Sequence, residues 1–277
     1  MAEHPALELE FLHAPPSDSS LSDRLYALLD DFGPIGLDDA ASPDRWRVFF
    51  HARPERDAAA EAIATAFGGS LRTSAIEVDD EDWARRSQQD LRAVTAGQLV
   101  IAPPWDVPKG MPVIIIEPSM GFGTGHHATT RLCLTLMQRL DLRGARVLDV
   151  GTGSGVLALA AWKLGAAEIT AVDADADALE NARLNVARNG AAPSIDIVRD
   201  DLATLRIERA DVVLANLTGA ALVRFASELA SLAVSGGYII LSGFAPEDVP
   251  IIHRAFSALA RIDEQSEGEW AALCLRR

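Results

Sequence analysis

Short apolar runs and amphipathic stretches alternate along the last two thirds of the chain. The apolar runs predict strands at 99–102, 113–116, 147–150, 169–173, 195–198, 211–215 and 238–241, and the β-branched-rich run 147–150 is suited to a buried parallel strand. Helical spacing of apolar residues predicts helices at 132–140, 156–164, 176–189, 220–232 and 246–260. The last segments, 261–264 and 270–275, predict a closing hairpin. This alternation is typical of a doubly wound α/β domain with a mostly parallel sheet.

The first 80 residues follow a different order of elements. Strand-like alternation predicts strands at 7–12, 36–38, 46–50 and 75–79. Helical spacing predicts helices at 21–32 and 55–67. The order strand, helix, strand, strand, helix, strand is typical of a ferredoxin-like α+β domain. We therefore expect an N-terminal α+β domain at 1–80, a linking helix or loop at 81–96, and the doubly wound domain at 97–277.

The length and charge of the chain agree with two domains and exclude one class of function. The chain has 277 residues, more than the roughly 100 to 200 of one ordinary domain. It carries 40 acidic against 25 basic residues, a net charge of −15, and no dense basic stretch. We therefore expect no broad nucleic-acid binding, because such binding needs clustered Lys and Arg. The acidic balance fits either a basic partner or the solubility of a cytosolic protein.

Cysteine usage and hydropathy indicate which cellular compartment the protein occupies. Cys133 and Cys274 are far apart and in no paired motif, which predicts neither a disulfide framework nor a zinc site. No apolar run approaches the roughly 18 residues of a membrane-spanning helix, and the N-terminus lacks the pattern of a secretion signal. We expect a cytoplasmic protein without a metal or a membrane contact, and we favour a monomer.

The glycine-rich turn after the predicted strand 147–150 is the strongest sign of a ligand site. Gly151, Gly153 and Gly155 lie between that strand and the next helix, where they let the backbone bend sharply and approach a ligand. Asp173 ends the following strand, where a carboxylate can accept hydrogen bonds from both hydroxyls of a ribose. Together these residues predict an adenine nucleoside site; the alternative is a turn whose glycines serve only the backbone.

The spacing of the glycines indicates which kind of nucleoside binds. A dinucleotide fingerprint, G-x-G-x-x-G, requires a glycine where this chain has Val156. The pattern G-x-G-x-G instead resembles the first motif of S-adenosylmethionine-dependent methyltransferases, whose ligand has no phosphate. A dehydrogenase is therefore disfavoured.

A second glycine-rich segment, 117–131, precedes the predicted helix 132–140. Its glycines allow a loop that lies against a ligand. Thr129 or Thr130 would either cap the helix or donate a hydroxyl to that ligand. His126 and His127 are not expected to bind a metal, because adjacent side chains point in different directions and no third ligand is near.

These motifs together resemble one protein family. The string GFGTGHHATT at 121–130, followed by LDVGTGSGVLA at 148–158, is similar to that of the ribosomal protein methyltransferases called PrmA. Further matches lie at 82–83, 99–105, 163–167, 181–190 and 210–217. The resemblance is dense over 97–245 and thin before residue 80. It implies a Rossmann-like class I methyltransferase domain with a seven-stranded sheet, S-adenosyl-L-methionine as the cofactor, and large-subunit ribosomal protein L11 as the substrate.

The resemblance also implies which residues bind the cofactor, namely Thr130, Gly151, Gly153, Asp173 and Asn216. Thr130 would reach the methionine carboxylate, and Gly151 would offer exposed backbone at the same end. Asp173 would bind the ribose hydroxyls. Asp200 or Asp201, just past the predicted strand 195–198, would accept from the adenine amino group or else belong to a solvated turn.

Asn216 is the residue that we expect to position the reacting amine. It ends a predicted strand, where amine methyltransferases place Asn or Asp, often followed by Pro-Pro and an aromatic residue. Here Leu-Thr-Gly follows, which argues against DNA and glutamine-amide methylases but is compatible with an alkyl amine. Asn216 as a simple turn former is the alternative. No dedicated base is evident; His126 or His127, backbone carbonyls, Asn216 and water are the candidate proton acceptors.

The predicted reaction is N-methylation of lysine side chains or α-amino groups on a large-subunit ribosomal protein. The N-terminal domain would select that substrate, and it matches the family mainly in its order of elements. Glu117, where family members usually have Asp, and Thr218-Gly219, where they have an alanine-containing sequence, depart from the family's pattern. The alternatives are methylation of another protein or of a small molecule, and a cofactor-binding module without catalysis.

Overall fold

The computed structural model of the protein describes residues 3–12, 25, 28–29, 32–34, 36–42, 45–79, 91–117 and 127–277. The chain divides into two compact units, Met1–Leu91 and Arg92–Arg277. This division falls inside the predicted linker 81–96, and the domain boundaries at 1–80 and 97–277 stay predictions.

The N-terminal unit contains a four-stranded antiparallel sheet. Its strands are β1 (Glu3–Phe11), β2 (Gly36–Ser42), β3 (Arg45–Phe49) and β4 (Leu71–Asp79), and helix α1 spans Arg53–Phe67. The strand order is β2-β3-β1-β4. Leu7 and Leu9 of β1 are buried in one cluster with Ile63 of α1, because alternate residues of a strand face the same side.

Two elements of the N-terminal unit can be compared with the predicted ferredoxin-like order. Strand β4 begins at Leu71, ahead of the predicted 75–79, because it pairs with β1 along the whole length of both strands. Of the predicted helix 21–32, the described residues Leu25, Leu28 and Leu29 are helical and Phe32 lies in a turn. The ferredoxin-like assignment therefore stays a prediction.

The C-terminal unit begins with a small sheet of three strands, β5 (Val94–Ala96), β6 (Leu99–Ala102) and β7 (Val113–Ile115). Strand β5 is antiparallel to β6, and β6 is parallel to β7. The predicted linker 81–96 thus ends in a strand rather than in a helix or loop. The reason is pairing across the tight turn at Gly97, whose φ is 62°, and the polar composition of the segment does not reveal that pairing.

A seven-stranded sheet forms the centre of the C-terminal unit. Its strands are β8 (Arg146–Val150), β9 (Glu168–Asp173), β10 (Ile195–Arg199), β11 (Ala210–Asn216), β12 (Ala233–Phe244), β13 (Ala260–Glu267) and β14 (Trp270–Arg276). The order is β10-β9-β8-β11-β12-β14-β13. Strand β14 lies antiparallel between β12 and β13, and the remaining neighbours are parallel. The predicted mostly parallel, seven-stranded sheet is confirmed.

Helices cover both faces of this sheet. They are α2 (Ala128–Met137), α3 (Val156–Lys163), α4 (Ala176–Arg188), α5 (Gly219–Arg224), α6 (Ala226–Leu232) and α7 (Val249–Ala255). Buried residues of α2 and α3 share one apolar cluster with Val147 of β8, whereas those of α5 to α7 share another with Leu148. Adjacent residues of β8 thus face opposite covered sides, which explains why residues 147–150 form an apolar run apart from Asp149.

Two predicted helices are interrupted or shortened. The helix predicted at 220–232 is divided into α5 and α6 at Phe225, whose φ of −107° and ψ of 21° leave the α-helical region. The helix predicted at 246–260 begins with the 3-10 turn Pro246–Asp248 and continues as α7 only to Ala255. Pro250 lies in the first turn of α7, where its missing N–H leaves no helical hydrogen bond unmade.

Candidate cofactor and active site

The glycine-rich turn connects β8 to α3 with its glycines in the left-handed region. Gly151, Gly153 and Gly155 have φ values of 71°, 52° and 80°. A Cβ on Gly151 would lie 2.4 Å from Leu217 Cδ2, so a side chain there would both strain the backbone and collide. The turn thus needs glycine for its conformation and presents bare backbone at the carboxyl edge of the sheet.

Asp149, near the end of β8, holds this turn from inside. Its side chain is buried, and Oδ2 accepts hydrogen bonds from Thr152 Oγ1 at 2.6 Å and from the Ala158 N–H at 3.1 Å. Oδ1 has no hydrogen-bond partner within the described part of the chain. Burial, and to a smaller extent the charge of Asp173, raises the pKa of this carboxyl to about 6, although the two hydrogen bonds act to lower it.

Asp173, at the end of β9, holds the same turn from the neighbouring strand. Its Oδ2 accepts from the Gly153 N–H at 3.0 Å, and its Oδ1 accepts from the Asp175 N–H at 3.1 Å. The carboxylate is half-buried. The structure therefore brings together Asp173 and Gly153, two of the residues that the sequence assigned to the cofactor.

A cavity of about 270 Å³ opens beside the turn. It lies at the carboxyl ends of β8 and β11, where ligands bind in open α/β sheets. Its walls combine polar groups and backbone with apolar side chains, from His127, Thr129, Thr130, Gly151, Thr152, Gly153, Val156, Leu157, Asn216, Leu217, Thr218, Gly243 and Trp270. Four of the predicted cofactor residues, Thr130, Gly151, Gly153 and Asn216, are among them.

Helix α2 begins at this cavity, four residues earlier than the predicted 132–140, because His127 caps its first turn. His127 Nδ1 lies 2.7 Å from Thr129 Oγ1 and accepts the Thr129 N–H at 3.4 Å. The imidazole also packs edge to face on Trp270, with ring centroids 4.7 Å apart. Burial, and to a smaller extent the charge of Arg131, lowers the pKa of His127. Thr129 and Thr130 are both buried in this first turn.

Asn216 links the end of β11 to that first turn. Its Nδ2 donates to Thr129 Oγ1 at 3.2 Å. The N–H of the following residue, Leu217, donates to the Ser242 carbonyl at 3.0 Å. Thr218 Oγ1 accepts the Ala221 N–H at the start of α5. Asn216 therefore contacts α2 through its side chain and does more than end a strand.

Comparison with known proteins identifies the family. A model of the family "Ribosomal protein L11 methyltransferase (PrmA)" matches residues 44–277. The chain belongs to the PrmA family. A ribosomal protein L11 methyltransferase of Geobacter sulfurreducens is 43% identical over 221 residues, which cover 77% of this chain and 73% of the relative. One of Deinococcus radiodurans is 37% identical over 265 residues, with 90% and 93% covered.

A solved structure supports the same assignment. The crystal structure of a ribosomal protein L11 methylase from Lactobacillus delbrueckii subsp. bulgaricus is similar with a TM-score of 0.63 and 29% sequence identity. The similarity covers 68% of this chain and 99% of that one. As a class I methyltransferase of the PrmA family, the chain uses S-adenosyl-L-methionine as its methyl donor.

The remaining predicted residues of this PrmA-family chain lie outside the cavity or outside the described ranges. Asp200 Oδ1 accepts from the Asp201 N–H at 2.8 Å, and Asp201 Oδ1 accepts from the Ala203 N–H at 2.8 Å, so both carboxylates cap the turn that follows β10. His126 and the glycines of 121–125 belong to 118–126, which is not described. Among the described residues, no group of three His, Cys, Asp or Glu is arranged to hold a metal ion.

Several site residues escape prediction. Trp270 reaches the cavity from the far end of the chain, and nothing in its local sequence indicates a ligand site. Gly243 is required because a Cβ there would lie 2.1 Å from the Leu217 carbonyl oxygen, an approach that appears only in the fold. Asp149 has a visible signal, since it is the one acid inside an otherwise apolar predicted strand.

Proposed function

We propose that this chain is a protein N-methyltransferase that transfers methyl groups from S-adenosyl-L-methionine to lysine side chains, α-amino groups or both on ribosomal protein L11. The observation that carries the proposal is the cavity in which Asn216, hydrogen-bonded to Thr129, lies beside the turn of Gly151 and Gly153. Membership of the PrmA family supports L11 as the substrate.

The residues around the turn suit the cofactor. Gly151 and Gly153 offer backbone without side chains, and the Gly153 N–H is already tied to Asp173. We infer that Thr130 and the N-terminus of α2 hold the methionine carboxylate, since the partial positive charge of a helix N-terminus favours an anion. Asp173 would bind the ribose hydroxyls. Asp201 would bind the adenine amino group through Oδ2, because its Oδ1 accepts the Ala203 N–H.

Asn216 suits the positioning of the attacking amine. When bound, the cofactor supplies a methyl group on a positively charged sulfur, which is already a good leaving group. The task of the chain is therefore to hold the amine in line with that group. Because Asn216 Nδ2 donates to Thr129 Oγ1, its Oδ1 remains the acceptor for an amine N–H at the end of β11.

An attacking lysine must also be neutral, although its ordinary pKa is about 10.4. The cavity has an apolar wall made by Val156, Leu157, Leu217 and Trp270. Burial of an amine among apolar side chains disfavours its charged form and so lowers the pKa of the substrate lysine. The wall would thereby raise the fraction of amine able to attack.

His127 does not act as a base through Nδ1 in this proposal. That nitrogen accepts from the first turn of α2, and the lowered pKa of His127 keeps the ring neutral near pH 7. We infer that the amine proton leaves to water while Asn216 orients the amine. This assignment replaces the sequence-based candidate in which His127 relays the proton.

We also infer a cytoplasmic monomer whose N-terminal unit contributes to substrate selection. A ribosomal protein substrate is met in the cytoplasm, and a net charge of −15 attracts a basic partner. In the described ranges no helix combines the length and the apolar character that crossing a bilayer requires. Size-exclusion chromatography with light scattering measures the oligomeric state directly.

The experiment is methyl transfer from labelled S-adenosyl-L-methionine to purified L11, to a cell lysate and to the small-molecule fraction of that lysate. We expect label in L11, and we expect Asn216→Ala to lower kcat by about a hundredfold, as the loss of one placed hydrogen-bonding group does in other active sites. Ser231→Ala, on the exposed side of α6, is the control and should retain the wild-type rate.

Two results would overturn the proposal. Label only in the small-molecule fraction would indicate a different substrate class. Cofactor binding without transfer to any component of the lysate would indicate a binding module without catalysis.

A further inference from the structure

Helix α4 holds the end of β7 through polar side chains on one of its faces. Arg188 and Asn189, the residue that follows α4, lie three and four residues after Asn185, so the three side chains project from the same side. Asn189 Nδ2 donates to the Ile115 carbonyl at 2.7 Å, and its Oδ1 accepts the Ile115 N–H at 2.9 Å. The side-chain amide thus pairs with Ile115 as a neighbouring strand would.

Asn185 continues this pairing and adds the glycine-rich turn to it. Its Oδ1 accepts the Glu117 N–H at 2.8 Å, and its Nδ2 donates to the Ser154 carbonyl at 2.9 Å. Arg188 reinforces the contact through an ion pair with the Glu117 carboxylate at 2.5 Å. One side chain therefore joins the turn 151–155 to the residue that immediately precedes 118–126.

An asparagine at position 185 is a poor choice if the only role of the residue is to stabilise the fold. Its side chain is fully buried, at 0% exposure, in a helix whose other buried residues include Leu179, Ala182 and Val186. Asn is a weak helix former, and burial of its amide is unfavourable unless both ends find partners. Here both ends do: Oδ1 accepts from Glu117, and Nδ2 donates to Ser154 in the glycine-rich turn and to Asn181 Oδ1 at 3.3 Å.

We propose that Asn185 is a positioning residue for cofactor binding. Its amide joins the turn 151–155, through the Ser154 carbonyl, to the Glu117 N–H just beyond β7. Asn185 acts through the backbone of Ser154 and Glu117, so it is not a catalytic residue. The inference rests on the proposed function, because it deepens the assignment of the same site.

The test compares Asn185→Leu with Asn189→Leu. The two variants carry the same substitution on the same helix face, one turn apart, but only the first loses a bond to the glycine-rich turn. The measurements are the Kd of S-adenosylhomocysteine by calorimetry and the separate KM values for S-adenosyl-L-methionine and L11. We expect Asn185→Leu to raise the cofactor Kd and KM about tenfold, the effect of losing one buried hydrogen bond to the glycine-rich turn.

The other readouts separate positioning from a general loss of structure. For Asn185→Leu the KM for L11 should stay within about twofold, and for Asn189→Leu the cofactor Kd should do the same. An equal or larger change of Kd in Asn189→Leu, or no change in either variant, would overturn the proposal. If Asn185→Leu does not fold by circular dichroism, the same comparison is made with alanine at both positions. Failure of the proposed function appears separately, as a wild-type chain that binds S-adenosylhomocysteine but does not methylate L11.

Discussion

Asp149 and Asp173 both hold the glycine-rich turn, but they differ in burial. Asp149 is 1% exposed and binds Thr152 and Ala158 inside the turn, whereas Asp173 is half-buried and binds Gly153 from the adjacent strand. A buried carboxylate is disfavoured in its charged form. Asp149 therefore keeps the turn in place at a cost in stability that depends on pH.

The raised pKa of Asp149 should make the free energy of unfolding depend on pH. Its pKa is raised from 3.8 to about 6 by burial, so the folded protein binds an additional proton between these values. The stabilisation from that proton is fully present below the unfolded-state pKa and is lost as the pH rises through the folded-state value. We expect the free energy of unfolding of the wild type, relative to Asp149→Asn, to increase by about 1 kcal/mol between about pH 7 and about pH 5.

Denaturant unfolding of both proteins at the two pH values measures this difference. The Asn variant keeps a neutral side chain of similar shape and cannot titrate at this position. A difference in unfolding free energy that is the same at both pH values would contradict the account of Asp149.

Helix α2 and the hairpin of β13 and β14 are joined by two ion pairs at different distances from the cavity. Arg131, in the first turn of α2, binds Glu267 through both carboxylate oxygens, at 3.0 and 3.2 Å from its Nε. Arg139, beyond the end of α2, binds Asp263. The first pair lies near Trp270, which begins β14 and packs on His127.

Glu267→Gln should impair catalysis more than stability. The pair is partly exposed, so its loss should change the free energy of unfolding by less than about 1 kcal/mol. The loosened hairpin carries Trp270, however, and we expect kcat/KM for L11 to fall about threefold to tenfold because positioning is sensitive to small displacements.

Asp263→Asn is the matched control, since it breaks the other ion pair between the same two elements. It should leave kcat/KM unchanged. Steady-state kinetics and thermal unfolding of both variants provide the comparison, and equal kcat/KM values for the two variants would refute a special role for the Glu267 pair.

The elements that could be predicted are those whose burial is visible locally. The central strands β8 and β11 are covered on both faces, so residues 147–150 and 211–215 are mostly apolar, and each of these strands lies within one residue of its predicted position. Strand β5 could not be predicted, because its pairing with β6 is not visible in the polar segment that contains it. The break of the predicted helix 220–232 at Phe225 is likewise not visible in the apolar spacing of that segment.

At the scale of the whole molecule, some residues of the candidate site could be predicted from the sequence and others could not. Gly151, Gly153 and Asn216 end strands or form turns beside them, and parallel strands bring such ends to one edge, so their association could be predicted. Trp270 could not, because it reaches the cavity only after β14 inserts between β12 and β13. Asp201 lies outside the cavity, and its Oδ1 accepts the Ala203 N–H; its contact with the adenine amino group stays a prediction.

Methylation of L11 by the whole molecule can be measured as the intact mass of purified L11 before and after incubation with the chain and S-adenosyl-L-methionine. We expect the mass of L11 to rise by whole multiples of about 14 Da, one for each methyl group, and Asn216→Ala to slow this rise. An unchanged L11 mass, with a wild-type chain that binds S-adenosylhomocysteine, would show that L11 is not its substrate.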